Sequence, residues 1–178
     1  MNQQLRRYER LLSRSLTRYP SATVNPPLAR KSAIAKAQDL GIELPEDLLA
    51  ALEVANGTNL GPGGIFGLDA PQQYLDIREM YDDFPVWKQL KWVPIAADGS
   101  GNYYVAIPHN GNWPVVFVEG GSPGTPQYVA ASSVIRCLTF LLEKELNGSP
   151  WPFLMHAVLS MDPDIVDYEA LGLPWKVE

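Results

Sequence analysis

Four acidic residues stand at helical steps of three and four along one short segment of the chain. They are Asp76, Glu79, Asp82 and Asp83. Paired carboxylates carry out general acid–base catalysis when a cleft brings them together on a substrate. The spacing alone does not indicate a cleft, and charges at these steps are typical of a solvated helix face. The other interpretation is a surface that docks a basic partner.

A second group of polar residues alternates in the manner of a calcium-binding loop. Asp98, Ser100 and Asn102 have this spacing. An EF-hand loop also needs glycine at its sixth position and a glutamate at its twelfth. The chain has Tyr103 and His109 there. The Asp-Gly-Ser-Gly sequence instead predicts a tight hairpin turn, because aspartate and glycine suit its backbone angles.

The remaining reactive residue types predict no metal site and no cofactor. His109 and His156 have no histidine or cysteine at ligand spacing, so the sequence does not indicate zinc. Cys137 lies among valine, isoleucine and leucine, which predicts a buried thiol rather than a nucleophile. The glycine-rich segment GPGG lacks the lysine of a phosphate-binding loop and predicts a plain turn.

Charge is distributed unevenly along the 178 residues, whose net charge is −6. The first 31 residues hold seven basic residues and one acidic residue, while the remainder carries a balance of −12. An acidic body repels nucleic acid and attracts basic proteins. The chain has no apolar run of about 20 residues and no secretory signal pattern. These features predict a cytoplasmic protein with a protein partner, no nucleic acid and no membrane span.

The N-terminal segment is predicted to form an arginine-rich amphipathic helix. Its apolar stripe consists of Leu5, Tyr8, Leu12, Leu16 and Tyr19. Such a helix can bind anionic lipid or nucleic acid, or it can pack its stripe on the acidic body. We favour packing, because the stripe is short and the rest of the chain is anionic.

The rest of the sequence predicts short helices and strands separated by proline and glycine turns. We expect helices near 28–40, 45–56, 74–81 and 132–146, and strands near 65–68, 92–96, 102–107, 113–119 and 128–130. The tail from residue 149 alternates helical pieces with prolines. It is too apolar to be free, with Trp151, Phe153, Leu154, Val158 and Trp175. We therefore expect it to pack on the domain.

Several ordered motifs resemble the SUKH superfamily, which includes a fungal cell-wall-synthesis regulator and many bacterial immunity proteins. LGIELPEDLLAALEVANG resembles its entry helix, with Leu44 and Pro45 at the start and the Asn56-Gly57 pair at the end. Trp87 and then VPIAADGSGNYYVAI are similar to the family's tryptophan and its proline-containing hairpin. The resemblance covers roughly residues 30–146. Thr58 departs from it, because the family often has a glycine there.

The resemblance implies an α+β fold with a mostly antiparallel sheet and helices packed against it. It also implies protein binding, commonly the neutralisation of a toxin domain such as a nuclease. Because the family's functional residues vary with the partner, none is carried over. We expect residues 1–178 to form a single domain, with an arginine-rich helix and loop (1–27), a SUKH-like core (28–148) and a packed helical extension (149–178).

The leading hypothesis is a non-enzymatic immunity protein whose acidic surface occludes a basic toxin site. The residues predicted to contact the partner are Asp76, Glu79, Asp82, Asp83, Trp87 and Asp98. One alternative is a regulatory scaffold protein of the same superfamily. A further alternative is an enzyme with a carboxylate site built from Asp76, Glu79 and Asp98.

Overall fold

A computed structural model describes residues 3–148 and 154–176. The α-helices are α1 (Gln3–Arg18), α2 (Arg30–Leu40), α3 (Glu46–Leu52), α4 (Ile77–Asp83), α5 (Pro85–Gln89), α6 (Val134–Asn147) and α7 (Met155–Met161). The strands are β1 (Val93–Ala97), β2 (Asn102–Ala106), β3 (Val115–Glu119) and β4 (Pro126–Ala131). Two 3-10 helices cover Gln73–Leu75 and Pro163–Leu171. No helix in these residues is long and apolar enough to cross a membrane.

The four strands form an antiparallel sheet in the order β1-β2-β3-β4. Each strand pairs with the next along the chain, so short turns suffice to connect them. One row across the sheet contains Ala96, Tyr104, Phe117 and Tyr128. The shift of register after Pro94 is a bulge, as expected where proline lacks an N–H for the ladder. The predicted α+β fold with a mostly antiparallel sheet is confirmed.

Helices cover both faces of this sheet. Tyr103 and Tyr104 are neighbours on β2, so their side chains point to opposite faces. Tyr104 lies on the α6 side, where it lines a small cavity with Leu141 and Leu142. Tyr103 lies on the other side, where its ring is 5.2 Å from that of Trp87 on α5. The core therefore continues through the sheet from α6 to α5.

Helix α1 packs its apolar stripe against α6. Tyr8, Leu11 and Leu12 are buried there. Arg7 Nη2 is 2.7 Å from a carboxylate oxygen of Glu143 on α6. The favoured interpretation of this helix, packing on the rest of the chain, is confirmed.

The segment predicted as a strand at 65–68 is not a strand. It forms isolated bridges, in which Ile65 pairs with Thr58 and with Ala96. At Leu68, hydrogen bonds from a side chain take the place of strand pairing. Asn56 Nδ2 donates to the Leu68 carbonyl at 3.0 Å, and Asn56 Oδ1 accepts from the Leu68 N–H at 2.8 Å. The Asn-Gly pair thus holds the loop against the end of α3.

The helix predicted at 74–81 is broken in two. The 3-10 helix ends at Leu75, and α4 begins only at Ile77. Between them Asp76 is extended, with φ −94° and ψ 126°. Its carboxylate accepts hydrogen bonds from the N–H of Arg78 at 3.1 Å and of Asp69 at 2.9 Å. A capping aspartate satisfies free helix N–H groups, which is why α4 starts after it.

The described part of the C-terminal extension packs on the core. The buried residues there are Val158, Asp162, Ile165, Tyr168 and Leu173. Val129 on β4 donates its N–H to the Gly172 carbonyl at 2.9 Å, so the extension covers this sheet edge. Leu154 is 71% exposed, contrary to expectation. Trp151 and Phe153 lie outside the described residues.

Candidate partner-binding surface

The end of α4 and the β1–β2 turn meet at Tyr103. This tyrosine is half-buried, and its ring is 4.9 Å from the ring of Phe84. Burial raises the pKa of the Tyr103 phenol, and the nearby charges of Asp83 and Asp98 raise it further. These two carboxylates, from distant points in the sequence, therefore act on the same hydroxyl group.

The acidic residues of α4 point outward because the opposite side of this helix is in the core. Ile77, Met80 and Tyr81 are buried, whereas Asp82 and Asp83 are exposed. Glu79 is partly exposed. The term acidic surface is used below for Glu79, Asp82, Asp83 and Asp98 together with Tyr103.

Asp98 organises the hairpin turn, as the sequence predicted. Its carboxylate accepts hydrogen bonds from the N–H of Ser100 at 2.7 Å and of Asn102 at 3.0 Å, and from Asn102 Nδ2 at 2.8 Å. These bonds fix the carboxylate within the turn that directly precedes Tyr103. In the described residues, no group of three or more histidine, cysteine, aspartate or glutamate side chains is placed to hold a metal ion.

Two of the residues predicted to contact a partner lie inside the protein. Asp76 is 7% exposed and caps α4. Trp87 is fully buried, stacks on Phe84 at 4.4 Å and donates its indole N–H to the Pro123 carbonyl at 2.6 Å. Neither side chain can reach a partner docked on the outside. We therefore leave both out of the acidic surface.

The enzymatic alternative needs Asp76, Glu79 and Asp98 to share one site, but their carboxylates have different hydrogen-bond partners. The Asp76 carboxylate serves as a cap, and the Asp98 carboxylate is bound within its own turn. Glu79 contacts Gln73 Nε2 at 3.5 Å. Each of the three carboxylates therefore has a different local role.

A small cavity lies between α6 and the sheet, where Tyr104, Leu141 and Leu142 contribute to its lining. That cavity has a volume of about 20 Å³, which holds about one water molecule. An open groove of about 380 Å³ lies between the starts of α3 and α6, where Trp113 and Ser133 contribute to its lining. Burial also raises the pKa of the Cys137 thiol, which fits the predicted core role rather than a nucleophile.

Tyr103 is the surface residue that sequence reasoning missed. The segment NYYVAI was interpreted only as a strand. Its alternation, combined with the Asp98 turn, would have placed one tyrosine beside the turn carboxylate and the next on the opposite face. No such signal in the sequence indicated that Asp83 raises the Tyr103 pKa, because this effect depends on how α4 packs.

The chain matches the family model described as SMI1 / KNR4 family (SUKH-1) over residues 29–134. The matched segment covers more than half of the chain and includes every residue of the acidic surface. Helix α1 and the C-terminal extension lie outside it. A comparison with curated proteins finds none that matches.

Proposed function

Because the chain belongs to the SMI1 / KNR4 family (SUKH-1), we propose that it is a non-enzymatic protein-binding module, and specifically a bacterial immunity protein that neutralises a toxin domain. Its acidic surface covers a basic site on the toxin and so blocks access to it. The proposal places the protein in the cytoplasm, where an incoming toxin would act.

The position of Tyr103 between the end of α4 and the Asp98 turn is the observation that carries this proposal. Tyrosine is enriched among the energetically important contacts of protein interfaces. The rings of Phe84 and Trp87 pack against the Tyr103 ring, with centroid distances of 4.9 Å and 5.2 Å. A surface fixed in this way loses little conformational entropy on binding.

The charge of the chain supports a basic partner. Residues 32–178 carry a balance of −12, and a field of one sign speeds the encounter with an oppositely charged surface. Asp82 and Asp83 are exposed and lie on the same helix as Glu79. Occlusion requires no chemistry from these carboxylates, only their charge and position.

The test uses the tagged chain to recover its partner from the native host. We expect one specific protein to bind the wild-type chain and Asp39→Lys/Glu43→Lys. It should not bind Asp82→Lys/Asp83→Lys. The first double variant is a matched control, since Asp39 and Glu43 are exposed and lie outside the acidic surface. Co-expression of the recovered partner with each variant should then show whether its toxicity is suppressed.

Two results contradict this proposal. One is the absence of any specific partner. The other is equal binding by Asp82→Lys/Asp83→Lys and the wild-type chain. That result would show that the interface does not include the acidic surface. The alternative of a regulatory scaffold is distinguished by the nature of the partner and by the neighbouring gene, since an adjacent gene for a large secreted toxin favours immunity.

A further inference from the structure

The outward side of α1 carries a row of exposed arginines. Arg6, Arg10 and Arg14 are exposed and follow one another at steps of four. Steps of four on a helix place side chains on one side, roughly 6 Å apart along the axis. These three residues are called the arginine face below. The opposite side of α1 lies against α6.

In the part of the chain that the structure describes, Glu9 and Glu143 line the open grooves beside this face. Arg7 pairs with Glu143 on α6, and Glu9 lies beside Arg6 and Arg10. Within residues 3–148 and 154–176, neither Arg10 nor Arg14 forms an ion pair. The guanidinium groups of Arg10 and Arg14 repel one another, so an anionic partner that spans these two residues gains binding energy.

We propose that the arginine face docks on the acidic surface of a second copy of this chain. The acidic surface offers Glu79, Asp82 and Asp83 at steps of three and four on α4. Glu79 and Asp83 lie four residues apart on α4, as Arg10 and Arg14 do on α1, so two such helices can form two ion pairs at once. Arginine is suited to this contact because its planar group binds a carboxylate through two parallel hydrogen bonds.

The two surfaces of one molecule cannot meet each other. Helix α6 covers the Tyr104 side of the sheet, and α1 packs on α6 with its arginine face turned away from it. The acidic surface lies around Tyr103 on the opposite side. A contact between them therefore joins different molecules head to tail, and it forms a ring or an open chain rather than a two-fold dimer.

A second copy fits the arginine face better than a membrane or a nucleic acid. Insertion into lipid needs the apolar stripe of the helix, and here Tyr8, Leu11 and Leu12 are buried against the rest of the chain. The balance of −12 beyond residue 31 opposes the approach of a phosphate backbone. The acidic surface of another copy offers complementary charge to the arginine face.

The test measures self-association of the purified full chain by sedimentation velocity at about 0.05 M and about 0.5 M salt, which span weak and strong screening. We expect concentration-dependent association at low salt. At high salt we expect the association constant to fall by about tenfold or more. Arg10→Glu/Arg14→Glu and Asp82→Arg/Asp83→Arg should each remain monomeric alone. An equimolar mixture of the two variants should associate, because their charges are complementary.

Lys31→Glu serves as a control, since Lys31 is an exposed basic residue outside α1, and it should associate like the wild-type chain. The proposal is overturned if the wild-type chain is monomeric at low salt, or if the mixture of reversed variants does not associate. It is also overturned if Arg10→Glu/Arg14→Glu loses binding to anionic vesicles or RNA while its sedimentation is unchanged. This test needs no host partner, so its result is independent of the immunity proposal.

Discussion

The buried carboxylate of Asp162 accepts hydrogen bonds from both the backbone N–H and the hydroxyl of Ser132, at 2.7 Å and 2.6 Å. The same carboxylate forms an ion pair with Arg136 on α6. Ser132 belongs to the segment matched by the family model, whereas Asp162 lies beyond it. The C-terminal extension is thus joined to the family core by charged hydrogen bonds, which supports the proposal that residues 1–178 form a single domain.

Replacing Asp162 with asparagine is expected to lower the free energy of unfolding by about 3 kcal/mol, because it leaves buried donors without a charged acceptor. Urea unfolding followed by circular dichroism measures this change. Asp164→Asn is the matched control. Asp164 contacts the same arginine, but its side chain is 62% exposed, so its loss should cost less than about 1 kcal/mol. Equal effects of the two substitutions would contradict the assigned role of Asp162.

Trp87→Phe should destabilise the protein by about 2 kcal/mol. The substitution removes the hydrogen bond to the Pro123 carbonyl and leaves a cavity where a fully buried indole ring lay. Trp113 is only half-buried, so Trp113→Phe is expected to cost less than about 1 kcal/mol. Denaturant midpoints of the two variants compare these effects, and a neutral Trp87→Phe would show that the indole is not part of the core.

Local signals in the sequence predicted most of the regular structure. The stripe from Tyr8 to Leu12 indicated α1, and the Asp98 turn indicated the β1–β2 hairpin. Gly41 directly follows the helix predicted near 28–40, and it has φ 70° with its N–H bonded to the last carbonyl groups of that helix. These features depend on neighbouring residues alone, so their physical causes are visible in the sequence.

The elements predicted incorrectly depend on contacts between distant residues. The start of α4 was missed because Asp76 also accepts a hydrogen bond from the N–H of Asp69, and this bond ties it to a loop outside the helix. The acidic surface was predicted only in part for the same reason. Periodicity identified Asp82 and Asp83, but it could not show that Trp87 is buried or that the packing of α4 lets Asp83 raise the Tyr103 pKa.

Gly67→Ala is expected to destabilise the protein by about 3 kcal/mol. A Cβ atom at this position would lie 2.2 Å from the Asn56 carbonyl oxygen, so the backbone that carries the Asn56–Leu68 hydrogen bonds must move. Gly121 offers a clean comparison, because a Cβ there meets no atom within 4 Å and its φ is not positive. Thermal unfolding should show a clear loss for Gly67→Ala and almost none for Gly121→Ala; equal melting temperatures would contradict this close packing.

The pKa of Tyr103 tests the geometry of the acidic surface directly. Burial, then Asp83, then Asp98 raise this pKa above its ordinary value of 10.0. Because the folded state holds the phenol proton more tightly than the unfolded state, the tyrosine contributes stability below about pH 10, and that contribution is lost as the pH rises through the folded pKa. Asp83→Asn should lower the pKa of Tyr103 and shift the onset of this loss to lower pH.

Carbon-13 labelling of the tyrosine ring carbon next to the hydroxyl, with Tyr103→Phe to assign its signal, measures this pKa by NMR. Asp82→Asn is the control, since Asp82 is exposed on the same helix but is not among the charges that raise the Tyr103 pKa. We expect a downward shift in Asp83→Asn and an unchanged titration in Asp82→Asn. If both variants titrate like the wild-type chain, Asp83 does not lie beside Tyr103, and the acidic surface is not the preorganised interface that the immunity proposal requires.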